Sequence, residues 1–258
     1  MTPVEVVLAV LSGLAAGVLS GLFGIGGGTV MTPAVQALLG APPIVALATP
    51  LPAIFPTAIT GAWTYRQGGQ LDGRAAGWIV APGIVGAVAG AALTDLVETH
   101  LLLVVTALLL AREAVGILRG AGRREAAGEP AVGTPLQLAM IGLAAGFVSG
   151  LLGIGGGIIM VPMLVGVLRM PLKRALGTSL LAIVVLVIPG TVVHASLGHI
   201  DWAIFAALSV GAVPGARIGA TLALGTRERT LRLLVGSFLL VVALAYGVGE
   251  VVHLVRAT

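Results

Sequence analysis

Two segments of this chain, half its length apart, have nearly the same sequence. Residues 13–33 read GLAAGVLSGLFGIGGGTVMTP and residues 142–162 read GLAAGFVSGLLGIGGGIIMVP, which are identical at fifteen of twenty-one positions. The offset is 129 residues in a chain of 258 residues. Because each copy is an apolar segment interrupted by glycines, we expect two related halves with broken helices. This organisation is typical of secondary transporters, whose substrate site lies where two repeats meet.

The composition places this duplication in a membrane. Hydrophobic residues make up 58% of the chain and charged residues 9%, which leaves too little polar surface to cover a soluble globule. The net charge of +4 comes from basic residues between the apolar runs, which indicates membrane topology and not nucleic-acid binding. The chain contains no cysteine, so disulfides and thiolate metal sites are excluded. We predict an all-α polytopic membrane protein without a cofactor or a metal.

The duplication extends beyond the glycine motif. Thr49 and Gly61 of the first half correspond to Thr178 and Gly190 of the second. The polar stretch RGAGRREAAGE at 119–129 lies between the halves. The predicted organisation is one integral membrane domain with a first transmembrane repeat at 1–118, a cytoplasmic linker at 119–134 and a second transmembrane repeat at 135–258.

The charges of the connections indicate how the halves are oriented. If the basic connections face the cytoplasm, the last three apolar runs of each half cross the membrane once each. The first run, at 4–40, is too long for one crossing of a hydrocarbon core about 30 Å thick, and its part after the glycines reaches only about halfway. Each half then contains a glycine-broken V-shaped helix pair followed by three transmembrane helices, and the two repeats are inverted. A single tilted helix in place of each pair gives parallel repeats, but this alternative fits the loop charges less well.

The glycines of this chain fall into two groups. One group recurs every four residues and is typical of close helix packing; it comprises Gly13, Gly17, Gly21, Gly142, Gly146 and Gly150. The GIGGG motif differs, because consecutive glycines share no helical face and weaken a helix. An unwound turn there exposes amide groups, and the helix that restarts points its positive end at the same place. We predict substrate-binding amides at Gly26, Gly27, Gly28, Gly155, Gly156 and Gly157, with a purely structural kink as the alternative.

Four polar side chains within apolar runs are further candidates. The hydroxyls of Thr49, Thr178 and Ser179 can bind a substrate oxygen or bond to the helix backbone. Arg217 lies well inside an apolar span, where a guanidinium is costly unless it faces a cavity and a partner. Its planar fork suits an anion, and the alternative is a side chain that reaches the membrane surface.

His194 is a candidate proton carrier, because imidazole titrates near neutral pH. The alternative is an interfacial histidine that forms a boundary belt with His199 and Trp202. Ser20 and Ser149 occupy equivalent places in the two repeats and have no catalytic base. We therefore interpret them as packing residues and do not predict an enzyme.

Several motifs together resemble a known family. These are the paired glycine segments followed by Pro33 and Pro162, ALGTS at 175–179, GHIDW at 198–202 and GARIGA at 215–220. They are similar to the TauE/SafE sulfite exporter family over essentially the whole chain. The resemblance implies a multi-pass carrier in a bacterial plasma (inner) membrane that exports sulfite, sulfoacetate or related sulfur-containing anions.

The expected function is secondary transport of a small anion, most consistent with export of sulfite or a related sulfur oxyanion or organosulfonate by alternating access. Proton coupling and a homodimer are left open, and an anion channel or a membrane-embedded enzyme are the alternatives. The expected partners are a sulfite-like anion and the lipid bilayer. The first half has Pro50 and Val88 where the second has Ser179 and Arg217, so we expect the second half to contribute more of the site.

The predicted topology is testable with reporter fusions. Because basic connections face the cytoplasm, a reporter at residue 122 should be cytoplasmic, and reporters at both termini should be outside. Alkaline phosphatase and green fluorescent protein activities measure these locations. A carboxyl-terminal reporter in the cytoplasm would contradict the inverted arrangement.

Overall fold

The computed structural model describes residues 1–93, 108, 111–112, 114–119, 133–152 and 156–257. Helices account for most of these residues, and no strand occurs among them, which confirms the all-α prediction. Most of the predicted linker lies outside this part of the chain, and its boundaries stay a prediction. The helices are α1 (Pro3–Phe23), α2 (Gly28–Leu39), α3 (Pro43–Ala48), α4 (Pro50–Gln67), α5 (Gly73–Leu93), α6 (Pro135–Leu152), α7 (Gly157–Gly166), α8 (Leu172–Ser196), α9 (Trp202–Gly225) and α10 (Glu228–Ala257).

Five helical segments in the described ranges are long and apolar enough to cross a membrane. The short helices α2 and α7 follow the two glycine motifs. The spanning candidates are Pro3–Phe23, Ile44–Gln67, Gly73–Gly90, Leu172–Ser196 and Trp202–Gly225. The chain is therefore a multi-pass membrane protein.

Local sequence signals set the helix ends. Thr2 and Glu5 form a capping box at the start of α1, where Pro3 occupies the first helical position. At the start of α9, the Asp201 carboxylate accepts hydrogen bonds from the amides of Ala203 and Ile204. Each device satisfies amide groups that have no partner within the helix.

The two helices of each glycine-broken segment fold back on each other. A Cβ atom at Gly27 would lie 3.3 Å from the carbonyl oxygen of Ala16, and one at Gly156 would lie 3.1 Å from that of Ala145. The end of α2 reaches the depression that also contains Met1 at the start of α1. Both α1–α2 and α6–α7 are therefore helical hairpins.

The first helix of each half packs on a helix of the other half. Cβ atoms at Gly13, Gly17 and Gly21 of α1 would collide in turn with the carbonyl oxygens of Leu208, Ala212 and Ala216 in α9. Residue numbers rise together along both helices, so α1 and α9 are parallel. This contact confirms that these glycines serve close helix packing.

The equivalent contact joins α6 to α5. Cβ atoms at Gly142, Gly146 and Gly150 would collide with the carbonyl oxygens of Ile79, Gly83 and Ala87. The offset of 129 residues relates α1 to α6 and α9 to α5. The same interface therefore occurs twice, and each half is completed by a helix of the other.

Helices α4 and α8 are equivalent in the two repeats and cross at the centre of the molecule. A Cβ at Gly61 would lie 2.8 Å from Leu180 Cδ1, one at Gly177 would lie 2.6 Å from Tyr65 Cβ, and one at Gly190 would lie 3.7 Å from Leu51 Cδ1. As the residue number rises in α4 it falls in α8. These two equivalent helices are therefore antiparallel.

The interface between α5 and α6 gives a test of the packing. Gly146→Ala should destabilise the folded protein by about 1–3 kcal/mol, because the added methyl group has to displace a backbone carbonyl. Gly77→Ala in α5 is the matched control, since its Cβ meets no atom within 4 Å. Thermal unfolding in detergent should show a lower midpoint for Gly146→Ala only. Equal midpoints in both variants would contradict the observed contact.

Candidate functional site

Left-handed glycines form the two helix breaks. In the first break, the φ angles are +69° at Gly24 and +84° at both Gly26 and Gly27. In the second, Gly156 has a φ angle of +68°, and residues 153–155, which include the predicted ligand Gly155, lie outside the described part. Residues other than glycine rarely adopt these φ angles. The conformation, and not packing alone, explains why these positions are glycine.

The two breaks contact each other at the centre of the molecule. A Cβ atom at Gly157 would lie 2.7 Å from the Gly24 carbonyl oxygen and 2.8 Å from Ile25 Cα. Gly26 packs against Ile54 and Ile183, which lie near the middles of the central helices. The structure thus brings together both predicted glycine clusters.

Both short helices begin at this contact without a side-chain cap. The residues preceding α2 and α7 are Gly27 and Gly156, and neither provides a side-chain hydrogen bond. The first amides of a helix have no partner within it, and the helix end carries about half a positive charge. Two positive helix ends therefore approach each other inside an apolar protein.

Central helices hold the first break in place. The Ser179 hydroxyl on α8 lies 2.8 Å from the Gly24 carbonyl oxygen and 2.9 Å from that of Leu176. The Tyr65 hydroxyl on α4 donates to the Gly21 carbonyl oxygen at 2.9 Å. Ser179, which we predicted as a ligand, is thus hydrogen-bonded to the break itself. This role of Tyr65 was not predicted from the sequence, although the hydroxyl of a buried tyrosine usually has a hydrogen-bond partner.

The two predicted threonines join the halves to each other. Thr49 accepts a hydrogen bond from the Asp201 amide at 3.1 Å, and Thr178 accepts one from the Asp72 amide at 3.0 Å. Both threonines are fully buried. Asp72 also forms an ion pair of 2.7 Å with Arg174. Each threonine therefore lies near a loop at one end of α4 and α8, and the substrate role predicted for both stays a prediction.

Arg217 lies apart from the glycine breaks. Its side chain is exposed, on a face of α9 different from that of Gly215 and Gly219, which pack against α1. Exposed Ile218 and Leu222 are its neighbours on this helix. The structure does not bring Arg217 to the other predicted ligands.

His194 is half-buried and borders a cavity of about 190 Å³ near the second break. The cavity also contacts Ser149 and Gly150 of α6. The Nδ1 atoms of His194 and His199 are 3.2 Å apart. Val88 and Val193 at its border are more than half exposed, so the cavity opens on the apolar surface of the molecule, and both roles predicted for His194 stay predictions.

Two buried hydroxyls at the first break have no hydrogen-bond partner among the described residues. They are Ser20 Oγ and Thr29 Oγ1. A Cβ atom at Gly27 would lie 3.4 Å from Ser20 Cβ. Ser20 was predicted to be a packing residue, and no ligand role was predicted for Thr29. Buried hydroxyls normally have partners, so their position beside the break is relevant to ligand binding.

Paired broken helices within a bundle of spanning helices define a class of membrane transport proteins. A family model described as "Sulfite exporter TauE/SafE" matches residues 9–246. The chain therefore belongs to the TauE/SafE family, whose named members are transporters and not enzymes.

Curated relatives match over most of their length. A "Probable membrane transporter protein" of Xylella fastidiosa (strain 9a5c) is 31% identical over 228 residues, which cover 86% of this chain and 87% of the relative. "Probable membrane transporter protein YunE" of Bacillus subtilis (strain 168) is 29% identical over 252 residues, which cover 87% and 91%. No solved structure matches the chain. These relatives agree that the protein is a membrane transporter.

The left-handed break predicts a position-specific loss of transport. Gly27→Val should reduce uptake of the labelled substrate to background, because the valine would contact Ala16 and Ser20 and disturb the amides of the break. Gly69→Val is the control, since Gly69 has a φ angle of +67° but no atom within 4 Å of an added Cβ. Both substitutions carry a backbone cost of about 1–2 kcal/mol. Uptake normalised to membrane expression should fall only for Gly27→Val; equal losses would point to backbone strain alone.

Proposed function

We propose that this protein is a secondary transporter that exports sulfite or a related sulfur oxyanion or organosulfonate across a bacterial plasma membrane. The observation that carries this proposal is the contact between two left-handed glycine breaks, each at an uncapped helix start. Helix starts of this kind bind anions through their amides and their positive ends. The family description supports sulfite as the first substrate to test.

The proposed anion site consists of hydrogen-bond donors without formal charge. The amides of Gly26, Gly27 and Gly28 lie on one side, and those of Gly156 and Gly157 lie on the other. The buried hydroxyls of Ser20 and Thr29 add two donors at the first break. Sulfite carries its charge on oxygen atoms, which accept such hydrogen bonds. Arg217 is not part of this proposed site because it is exposed on α9.

Two depressions at opposite ends of α8 support alternating access. One has a volume of about 300 Å³ and contains Asp72, Arg74 and Arg174, near the start of the helix. The other has a volume of about 530 Å³ and contains Asp201 and His199, beyond its end. Asp72 and Asp201 are equivalent in the two repeats. In the proposed mechanism, each depression is the entrance that opens to the glycine breaks in one of two states.

The direction of the central helices supports inverted repeats. Helices α4 and α8 are equivalent in sequence and antiparallel in space. If both cross the membrane, the two halves have opposite orientations in it. Arginines lie at the end of the molecule that contains Asp72, which we assign to the cytoplasm. The depression beside Asp201 is then external.

Transport by the purified protein in liposomes tests the proposed function. We expect labelled sulfite to enter liposomes loaded with unlabelled sulfite, and this counterflow should saturate because an alternating-access carrier binds its substrate on each side. Sulfate, thiosulfate, sulfoacetate and taurine identify the substrate range. Protein-free liposomes are the control. Anion currents without counterflow would favour a channel, and the absence of flux with all five compounds would contradict the proposal.

A further inference from the structure

The ends of α4 and α8 form the same hydrogen-bonded turn. In the first half, the Gln70 amide donates to the Tyr65 carbonyl oxygen at 2.9 Å, and Gly69 has a φ angle of +67°. A glycine in this conformation commonly ends a helix, and the residues on either side of the turn come close together. The first half thus places Tyr65 and Gln70 at these two positions.

Histidines occupy both positions in the second half. The His199 amide donates to the His194 carbonyl oxygen at 3.0 Å, and Gly198 between them has a φ angle of +70°. The imidazole rings are adjacent, with a distance of 3.2 Å between the two Nδ1 atoms. Apolar side chains commonly meet at this type of helix end. The chain has two titratable side chains there instead.

The contact between the Nδ1 atoms of His194 and His199 limits how many protons the two rings can carry. One nitrogen must donate and the other must accept, since neutral imidazole has one donor and one acceptor. The pair can be neutral or carry one added proton while it keeps this contact. A second added proton would place hydrogen on both Nδ1 atoms and break the contact. The contact is therefore compatible with no added proton or one, but not with two.

The pair lies between two separate spaces. His199 borders the depression that contains Glu5 and Asp201, whereas His194 borders the cavity beside Ser149. In the depression, the other groups that can titrate are Glu5, Asp201 and the amino group of Met1. Among the described residues that line the cavity beside Ser149, His194 alone is titratable. The pair thus borders the polar depression on one side and, on the other, an apolar cavity with exposed Val88 and Val193 at its border.

The first half has no titratable pair between two such spaces at the equivalent turn. Tyr65 is fully buried and its hydroxyl donates to the Gly21 carbonyl oxygen. In the second half, the equivalents of Tyr65 and Gly21 are His194 and Gly150, and both border the cavity. The shorter histidine side chain leaves room where tyrosine fills the space. The two halves therefore differ at the position where a proton path would run.

We propose that His194 and His199 form a proton-binding pair that couples proton movement to anion transport. The neutral pair gains one proton from water in the depression on the His199 side. It releases this proton to water on the His194 side when that side is open to solution, so no other reactant is required. This inference rests on the proposed transport function and adds the site at which its coupling proton binds.

The test compares two kinds of sulfite transport by the full chain in liposomes. Accumulation driven by a pH gradient requires coupling, whereas counterflow without a gradient requires only a working carrier. The double variant His194→Tyr with His199→Gln reproduces the residues of the first half. With a gradient of one pH unit, one coupled proton sustains a concentration ratio of about ten. We therefore expect the double variant to reduce gradient-driven accumulation about tenfold and to change counterflow less than about threefold. His100→Gln and His253→Gln, at the other two histidines, are the controls and should retain both activities.

The outcomes separate this inference from the proposed function. The unsubstituted protein could show counterflow but an accumulation that does not depend on the pH gradient. This result would overturn the role of the histidine pair and leave the proposed transport function intact. Gradient-driven accumulation that survives in the double variant would overturn it as well. Absence of counterflow in the unsubstituted protein would contradict the transport function itself and, with it, the coupling role of the pair.

Nuclear magnetic resonance gives a readout that does not depend on transport. The chain has four histidines, so histidine-selective ¹⁵N labelling resolves each ring. We expect His194 and His199 to titrate together, and His199→Gln to change the titration of His194 but not that of His253. Independent titration of the two rings, with no effect of His199→Gln on His194, would overturn the shared proton.

Discussion

Backbone contact between helices of opposite halves is the constraint on which the rest of the structure depends. Glycines in α1 and α6 place carbonyl oxygens of α9 and α5 where a side chain would otherwise begin. In a membrane, such close approach replaces the hydrophobic driving force that acts in water. Because each first helix packs on the other half, neither half can position its glycine break alone. The site is consequently a property of the paired repeats.

The contact between the two breaks brings two positive helix ends together, and their repulsion favours a bound anion. The starts of α2 and α7 each carry about half a positive charge, and Gly157 contacts Gly24 and Ile25. A bound anion between the helix ends would offset the repulsion and satisfy the free amides. Without an anion, the repulsion between the two helix ends raises the free energy of this arrangement.

The features that local chemistry determines were predictable from the residues alone. The glycine breaks, the packing glycines and the helical class follow from composition and spacing at 13–33 and 142–162. Which helices pair does not follow, because the pattern of α1 is compatible with several partners. The exposure of Arg217 depends on which face of α9 packs on α1, and Gly215, two residues earlier, lies on that face. The hydrogen bonds of Thr49 and Thr178 join residues more than 100 positions apart, and no local signal reveals them.

Departures from the repeat show where the halves have separate roles. Ser179 braces the first break, whereas its equivalent, Pro50, has no hydroxyl with which to do so. Thr29 adds a buried hydroxyl at the first break, whereas its equivalent, Ile158, is apolar. Among the described residues, two hydroxyls beside the first break thus have no counterpart at the second, and the expectation that the second half contributes more of the site stays a prediction. The second half has the paired histidines, and residues of both halves line the cavity beside His194. If the anion binds mainly at the first break and the proton beside the second, the two sites interact through the contact between the breaks, because a shift of one break displaces the other.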